Sequence, residues 1–357
     1  MVRDKARAWW NILKIGNPSA LIKELKNFCR GNTIRVLKNE GWFDYLKQPH
    51  TLGEIMEQFN YTDHDFLQEI LDVLVEDETI NLIDDDKYQT NPPVEDNWMS
   101  CRIFKEPDVL ISVAKALPDR LRGQVVTFGT NGVSLFNWDD FFLSNMFEKL
   151  RVGAFSYVGK SLQRPLHILD LECYNGASTA SMWVDFYRKG LFFDGNPVKI
   201  SAVSLNKDLL RIAREEFPLM AQRFMGKDTH IKEIKSMERF FPIFKSGHPE
   251  KLPFDDETFD AVFANHVLQF VNARNALKEV VRVTKKGGDI FGAQMVLPLF
   301  SKFWHLSIRT MDMKAGLFSR DDLVQWAKEA GGINVETATL AMLYKFKKNG
   351  GLHRQQA

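Results

Sequence analysis

The sequence predicts an α/β protein: a mostly parallel sheet of seven strands behind a smaller, mostly helical N-terminal region. Three observations carry this reading. Strand-like apolar runs alternate with helical patterns from residue 166 almost to the C-terminus. The stretch LHILDLECYNGASTASM at 166–182 joins a buried-strand pattern to an acid, a tight turn and a glycine that opens a helix of small residues. Residues 31–97 read instead as helices followed by a hairpin.

In chain order, residues 1–30 pattern as two helices parted by Asn17-Pro18-Ser19. Trp9, Trp10, Ile12, Leu13 and Ile15 cluster in the first, and the second runs from Ala20 to Arg30. Seven Lys or Arg against two acids give this segment a net +5. Two readings stay open: weak contact with an anionic membrane surface through a basic amphipathic helix, or docking on a partner subunit or the chain's own core with the basic face solvated.

A helix carrying Ile34, Val36 and Leu37 is expected to end near Gly41. Thr51 and Glu54 have capping-box spacing at the start of another. A third, Asp63 to Glu76, places Phe66, Leu67, Ile70, Leu71 and Leu74 at helical spacing. Residues 79–83 and 88–90 flank an acidic turn and form a hairpin. Helices followed by a hairpin describe a winged helix, which raises DNA binding and a transcription regulator as a function class. Charge opposes it: residues 31–97 hold 4 basic and 16 acidic side chains, a net of −12, whereas DNA affinity rests on phosphate neutralisation by Lys and Arg. Packing or dimerisation fits this module better. Residues 98–164 form a connector with Phe136, Trp138, Phe141, Phe142, Phe147, Phe155 and Tyr157, either an aromatic pocket lid or an interdomain seam.

From 165 on, the predicted order is strand His167–Leu171, helix Ala177–Lys189, strand Val198–Leu205, helix Lys207–Phe217, strand Phe241–Lys245, strand Phe259–Asn265 and helix Ala273–Val283. A Thr284-Lys285-Lys286-Gly287-Gly288 turn, strand Asp289–Val296, a helix capped by Ser319 and closing strands near 333–340 and 342–347 follow. The expected domains are therefore 1–97, 98–164 and 165–357.

Composition sets the bounds. The 357 residues are 45% hydrophobic with a formal charge of +1, so no global field selects nucleic acid or membrane. Three cysteines form no CxxC pair, eight histidines form no HxH or HExxH, and neither a P-loop nor a Gly-x-Ser-x-Gly elbow is present. The absence of a secretory pattern and of an 18-residue apolar run makes a cytoplasmic setting the expectation.

The arrangement resembles the class I, Rossmann-like S-adenosylmethionine (SAM) dependent methyltransferases, specifically the small-molecule O-methyltransferases with an N-terminal winged-helix dimerisation domain. The residues that carry the resemblance are Asp170 through Gly176, Ile212-Ala213-Arg214, the run LPFDDETFDAVFANHVLQFV at 252–271 and the Lys-Lys-Gly-Gly turn. The resemblance implies a seven-stranded methyltransferase sheet, SAM as cofactor, a homodimer formed through the N-terminal domain and a small, largely apolar or planar methyl acceptor. It places Asp170, Glu172, Tyr174, Gly176, Ser204, Leu205, His248 and Asn265 around the cofactor. Phe142, Gln269, Phe300, Phe303 and Trp304 would contact the acceptor.

The chain departs from the family pattern at ligand-facing positions. Glu172 and Tyr174 stand where glycine is usual, so either the loop opens outward or Tyr174 fills part of the cofactor volume. Ser204 replaces the acid that accepts the ribose hydroxyls, and His248 the acid that accepts the adenine amino group. Two lost charged hydrogen bonds cost on the order of 3–6 kcal/mol, which Ser204, Asn206 and Glu172 could offset in part. Gln269 takes the place of the histidine base and cannot deprotonate a phenol. His266 and His305 are the substitute catalytic candidates, while transfer to nitrogen, sulfur or an already acidic oxygen needs positioning more than a strong base. These departures leave a second function class open: a methyltransferase-like protein with lost or altered SAM binding that serves in binding, assembly or non-methylating chemistry.

Overall fold

The computed structural model describes residues 18–84, 86–96, 108–124, 151, 154, 166–193, 195–226, 228–298, 301–310, 316–338 and 343–350. Phe142, Phe300 and the aromatic stretch 136–157, Arg151 and Ala154 apart, lie outside the described residues, as does the first basic helix. The fold is a mixed α/β one with a seven-stranded sheet and a helical N-terminal region, as expected. It divides into two compact units, 17–144 with 296–317, and 1–16 with 145–295 and 318–357.

The helical unit begins with one 22-residue helix, Pro18–Asn39. The sequence reading split this segment after Arg30, and the structure corrects it. Phe28, Cys29, Ile34 and Leu37 are all buried, so packing on both sides of Gly31 outweighs its cost of about 1 kcal/mol in a helix interior. Asn32 is tolerated inside because its side-chain amide donates to the Phe28 carbonyl at 2.9 Å. Strand β1 (His50–Thr51) leads into helix Leu52–Phe59, where the expected capping box forms: Glu54 N donates to Thr51 Oγ1 at 3.3 Å and Thr51 N to Glu54 Oε2 at 2.8 Å. Asp63 caps helix His64–Glu76 by accepting from Phe66 N at 3.1 Å. Strands β2 (Ile80–Ile83) and β3 (Lys87–Thr90) make the hairpin, and β1 adds to β3 as a third antiparallel strand. Helix Lys302–Thr310 packs within this unit, against Pro18–Asn39, His64–Glu76 and Asp108–Lys115. Arg309 Nε donates to Glu69 Oε2 at 3.0 Å, and Lys302 pairs with Glu76 at 2.5 Å.

In the sheet unit, β4 (His167–Leu171), β5 (Lys199–Ser204), β6 (Ile243–Ser246), β7 (Phe259–Ala264), β8 (Thr284–Ala293), β9 (Gly332–Ala338) and β10 (Leu343–Lys348) lie in the order β9-β10-β8-β7-β4-β5-β6. The strands β6, β5, β4, β7 and β8 run parallel, and β10 and β9 close the edge antiparallel. Ile168, Leu169 and Leu171 are fully buried, which is why β4 reads as an unbroken apolar run rather than an alternating one. From β4 the chain builds β5 and β6 on one side and then returns to β7 and β8 on the other. The carboxyl ends of β4 and β7 thus flank the topological switch point, where open α/β sheets bind ligands.

The Lys-Lys-Gly-Gly segment is part of β8 rather than a turn before it. Phe259 pairs with Thr284 but Ala261 with Asp289, so residues 285–288 form an irregularity in which Gly287 takes a φ of 73°. Helix Lys207–Glu215 stops before Pro218, which opens a second helix, Phe217–Met225. Arg282 fastens the loop ahead of β7. It grips Glu279 through two 2.8 Å contacts, donates to the carbonyls of Leu252 and Phe254, and pairs with Asp256 at 2.8 Å.

Candidate cofactor site

The site is built at the carboxyl ends of β4, β5, β7 and β8. Asp170 is the fourth residue of β4 and is buried. Its Oδ2 accepts from Ser178 Oγ at 2.7 Å and from Thr179 Oγ1 at 2.5 Å, both in the first turn of helix Ala177–Arg188. Burial raises its pKa to about 6; the two hydroxyls and the Arg151 guanidinium hold it from rising further.

The loop after β4 keeps the backbone that glycine would supply without the glycines. Glu172 and Tyr174 have φ values of 58° and 50°, in the left-handed region, at a cost of roughly 1–2 kcal/mol per residue. Of the two expectations for these side chains, the loop does not open outward. The buried Glu172 carboxylate reaches the end of β5, where Oε1 accepts the Ser204 hydroxyl and Oε2 accepts Leu205 N at 3.0 Å. Burial lifts its pKa to about 7, with the neighbouring Asp170 charge adding to the rise. Tyr174 Oη donates to the His266 carbonyl at 3.1 Å and its ring stands edge-on to Phe270, so the phenol bridges the loop after β4 to the loop after β7. Gly176 starts the helix with a φ of +86°, and a Cβ there would sit 2.9 Å from the Ala213 Cβ. Its role is close approach of the helix Lys207–Glu215, alongside the dihedral.

Ser204 is fully buried, and its Oγ accepts from Asn206 N at 3.2 Å. Asn206 caps the following helix through Asp208 N and Leu209 N. Leu205 is half exposed beside it, an apolar side chain at the carboxyl end of β5. His248 lies in the loop after β6; its Nδ1 accepts from Glu250 N at 3.1 Å. Asn265 and His266 follow β7 and are buried, with His266 at a φ of 54° and its N–H donating to Ala293 O at 2.8 Å. Burial and the Arg151 charge push the His266 pKa down to about 3, which keeps the ring neutral. Gln269 is buried, and its Oε1 accepts from Gln294 Nε2.

His305, Phe303 and Trp304 belong to the helical unit. There Phe303 and Trp304 are core residues. His305 Nδ1 accepts from Leu317 N at 2.9 Å, which leaves the ring proton on Nε2, 3.4 Å from Glu69 Oε2. Both ring nitrogens are engaged in that unit.

Four contributors escaped the sequence reading: Ser178 and Thr179, which hold Asp170; Arg151, a buried cation whose field reaches Asp170 and His266; and Gln294. The only sequence signal for Arg151 was an arginine set in an apolar, aromatic-rich stretch. Ser178 and Thr179 carried one, since they lie eight and nine residues after the acid in the first turn of a small-residue helix.

The chemistry of this set is one of acceptors. Two buried carboxylates suit a ligand that brings an ammonium group and hydroxyls, and the Asn265 carbonyl oxygen, which has no hydrogen-bond partner among the described residues, is a further buried acceptor. SAM is such a ligand, and on donor chemistry the residues fit it; the Tyr174 ring is the group that must share its space. Among the described residues no group of three His, Cys, Asp or Glu could hold a metal ion, and no helix is long and apolar enough to cross a membrane.

Residues 196–292 match the family model described as "Methyltransferase domain". Over 61 residues the chain is 43% identical to a demethylmenaquinone methyltransferase of Renibacterium salmoninarum, which is 17% of this chain and about a quarter, 26%, of that enzyme's length. Solved structures extend the likeness to the whole fold. The DszA carbon methyltransferase superposes with a TM-score of 0.72 at 15% identity, covering 99% of this chain and 97% of that one. The CurJ carbon methyltransferase gives 0.71 at 13%, covering 96% of each. The CMeT domain of the citrinin polyketide synthase gives 0.68 at 15%, covering 97% and 95%. Residues 196–292 therefore match a methyltransferase-domain model, and the fold is the one seen in these methyltransferase structures.

Proposed function

We propose that the protein is a SAM-dependent methyltransferase acting on a small, largely apolar or planar acceptor. The observation that carries this is the buried carboxylate pair, Asp170 and Glu172, at the switch-point edge of the sheet. Keeping two carboxylates out of water beside each other is costly, and a cationic ligand relieves that cost. Asp170 would hold the amino-acid end of SAM. Glu172 takes over from the acid missing at Ser204 and would accept from the ribose, with Leu205 against the base. Bound SAM supplies an electrophilic methyl group.

The residues of this chain contribute position, dryness and charge. Glu172 fixes the end of β5, and the buried shell of Leu171, Cys173 and Ala264 excludes water. His266 is neutral, and Gln269 is held by Gln294, so neither offers a strong base. An acceptor whose reacting atom is already nucleophilic or acidic suits this edge. Two of the similar structures are carbon methyltransferases by name, a third is a CMeT domain, and the curated relative is named a demethylmenaquinone methyltransferase. That supports an activated carbon on a planar acceptor.

The test is calorimetry of S-adenosylhomocysteine and SAM with the full chain. Micromolar binding is the expected result; no heat at millimolar ligand overturns the reading. One observation favours the second class, a relative that has given up the cofactor: the Tyr174 phenol already spans the crevice to His266. For the helical unit we propose a winged-helix-type dimerisation element in a cytoplasmic protein, its acidic character excluding DNA; sedimentation equilibrium of the full chain would return a dimer mass.

A further inference from the structure

Beyond the carboxylates, the edge of β7 and β8 holds a second polar group that the cofactor does not account for. Asn265 follows β7, Gln294 follows β8, and the His266 N–H bond to Ala293 O ties the two strand ends together. Asn265 is 8% exposed and Gln294 0%. Gln294 Nε2 donates to Gln269 Oε1 and to the Met295 carbonyl at 3.3 Å. A backbone carbonyl can only accept, so this second bond fixes which end of the Gln294 amide is which. Its oxygen, like that of Asn265, is left buried with no hydrogen-bond partner among the described residues.

Two unpaired carbonyl oxygens at adjoining strand ends are uncommon, because buried polar groups are nearly always satisfied. Apolar side chains of similar size would fill the same space without that cost. We infer that Asn265 and Gln294 are specificity residues for the methyl acceptor, anchoring a neutral hydrogen-bond donor on it, an amide N–H or a hydroxyl. This rests on the methyltransferase reading and adds the acceptor chemistry to it. An anion is disfavoured by the negative ends of both amide dipoles. A neutral donor matches these oxygens without adding a charge to a buried edge.

The probes are 4-fluorobenzamide and its N,N-dimethyl derivative, two neutral planar molecules that differ in having or lacking N–H donors. Their affinities are read by fluorine NMR relaxation on the full chain, with and without S-adenosylhomocysteine. The donor-bearing probe is expected to bind roughly fivefold tighter, the equivalent of ~1 kcal/mol. That preference is expected to vanish in Asn265→Leu and Gln294→Leu and to survive in Asn265→Asp, which keeps an acceptor oxygen. Thermal unfolding checks that each variant is folded, and the alanine variants serve if a leucine variant is not. Equal affinities for the two probes in the wild type, or a preference that the leucine variants leave intact, overturn the inference. So does a loss of S-adenosylhomocysteine binding in those variants, which would give the oxygens to the cofactor's ammonium group. Should the cofactor fail to bind the wild type, the methyltransferase reading falls while the probe ratio still reports on the cluster.

Discussion

The carboxylate of Glu172 accepts the hydroxyl of Ser204 and so joins the loop after β4 to the last residue of β5. The position that ends β5 has no acid of its own, yet a carboxylate sits on it, delivered from the neighbouring loop. Moving that acid back is therefore informative. The double variant Glu172→Gly, Ser204→Asp is expected to bind S-adenosylhomocysteine within about threefold of wild type, while Glu172→Gly alone loses about tenfold or more, as loss of one charged hydrogen bond implies. Calorimetry checks both, and equal loss in the single and double variants contradicts the relocation.

Glu172 also sets a pH dependence. Its folded pKa of about 7 lies above the ordinary carboxyl value, because burial disfavours the charge. The folded state holds the proton more tightly, so this group's stabilisation is full below the unfolded pKa and is lost as pH rises through 7. Glu172→Gln cannot ionise. The stability of wild type relative to this variant should fall by about 2–3 kcal/mol between pH 5 and pH 8, measured by urea unfolding. A difference that is flat with pH would show that the carboxyl is not held protonated.

His266 has the opposite sign. Its folded pKa of about 3 lies below the ordinary imidazole value, again through burial first and the Arg151 charge second. The unfolded chain takes up a proton that the folded state refuses, so stability declines as pH falls from about 7 toward 4. His266→Asn, which keeps a polar side chain that tolerates the left-handed backbone, should flatten that acid limb in a series of thermal melts.

Tyr174 is the steric question. Its ring spans from the loop after β4 to the carbonyl of His266 in a backbone conformation better suited to glycine. Tyr174→Gly should raise S-adenosylhomocysteine affinity by about tenfold or more, since it removes a side chain from the crevice and relieves a strained dihedral. Weaker binding in this variant would instead make the phenol part of the ligand's own wall.

Gly176→Ala tests the helix start. The added Cβ meets Ala213 at 2.9 Å on a backbone of φ +86°. Strain of about 1–2 kcal/mol and overpacking of about 1–3 kcal/mol predict a combined loss of about 2–5 kcal/mol, readable as a lower urea midpoint with an unchanged slope.

Much of this molecule was legible before folding because the signals are local. The β4 run is apolar throughout because both its faces are covered, and the capping boxes at Thr51–Glu54 and Ser319–Asp322 need only three residues of context. Asp170 and Gly176 stood out for the same reason: strand, acid, turn and helix start lie within one short stretch. The helix Pro18–Asn39 was misread because a glycine's local cost was weighed without the core that overrides it. What only the tertiary structure decided was partnership across the sheet. Glu172 and Ser204 are 32 residues apart, Tyr174 and His266 are 92 apart, and Gln269 and Gln294 are 25 apart. Glu172, Tyr174, Ser204 and Gln269 each look like the loss of a required residue when read singly. Parallel strands bring distant carboxyl ends to one edge, so a carboxylate from the loop after β4 reaches the end of β5, and spacing along the chain carries no trace of that exchange.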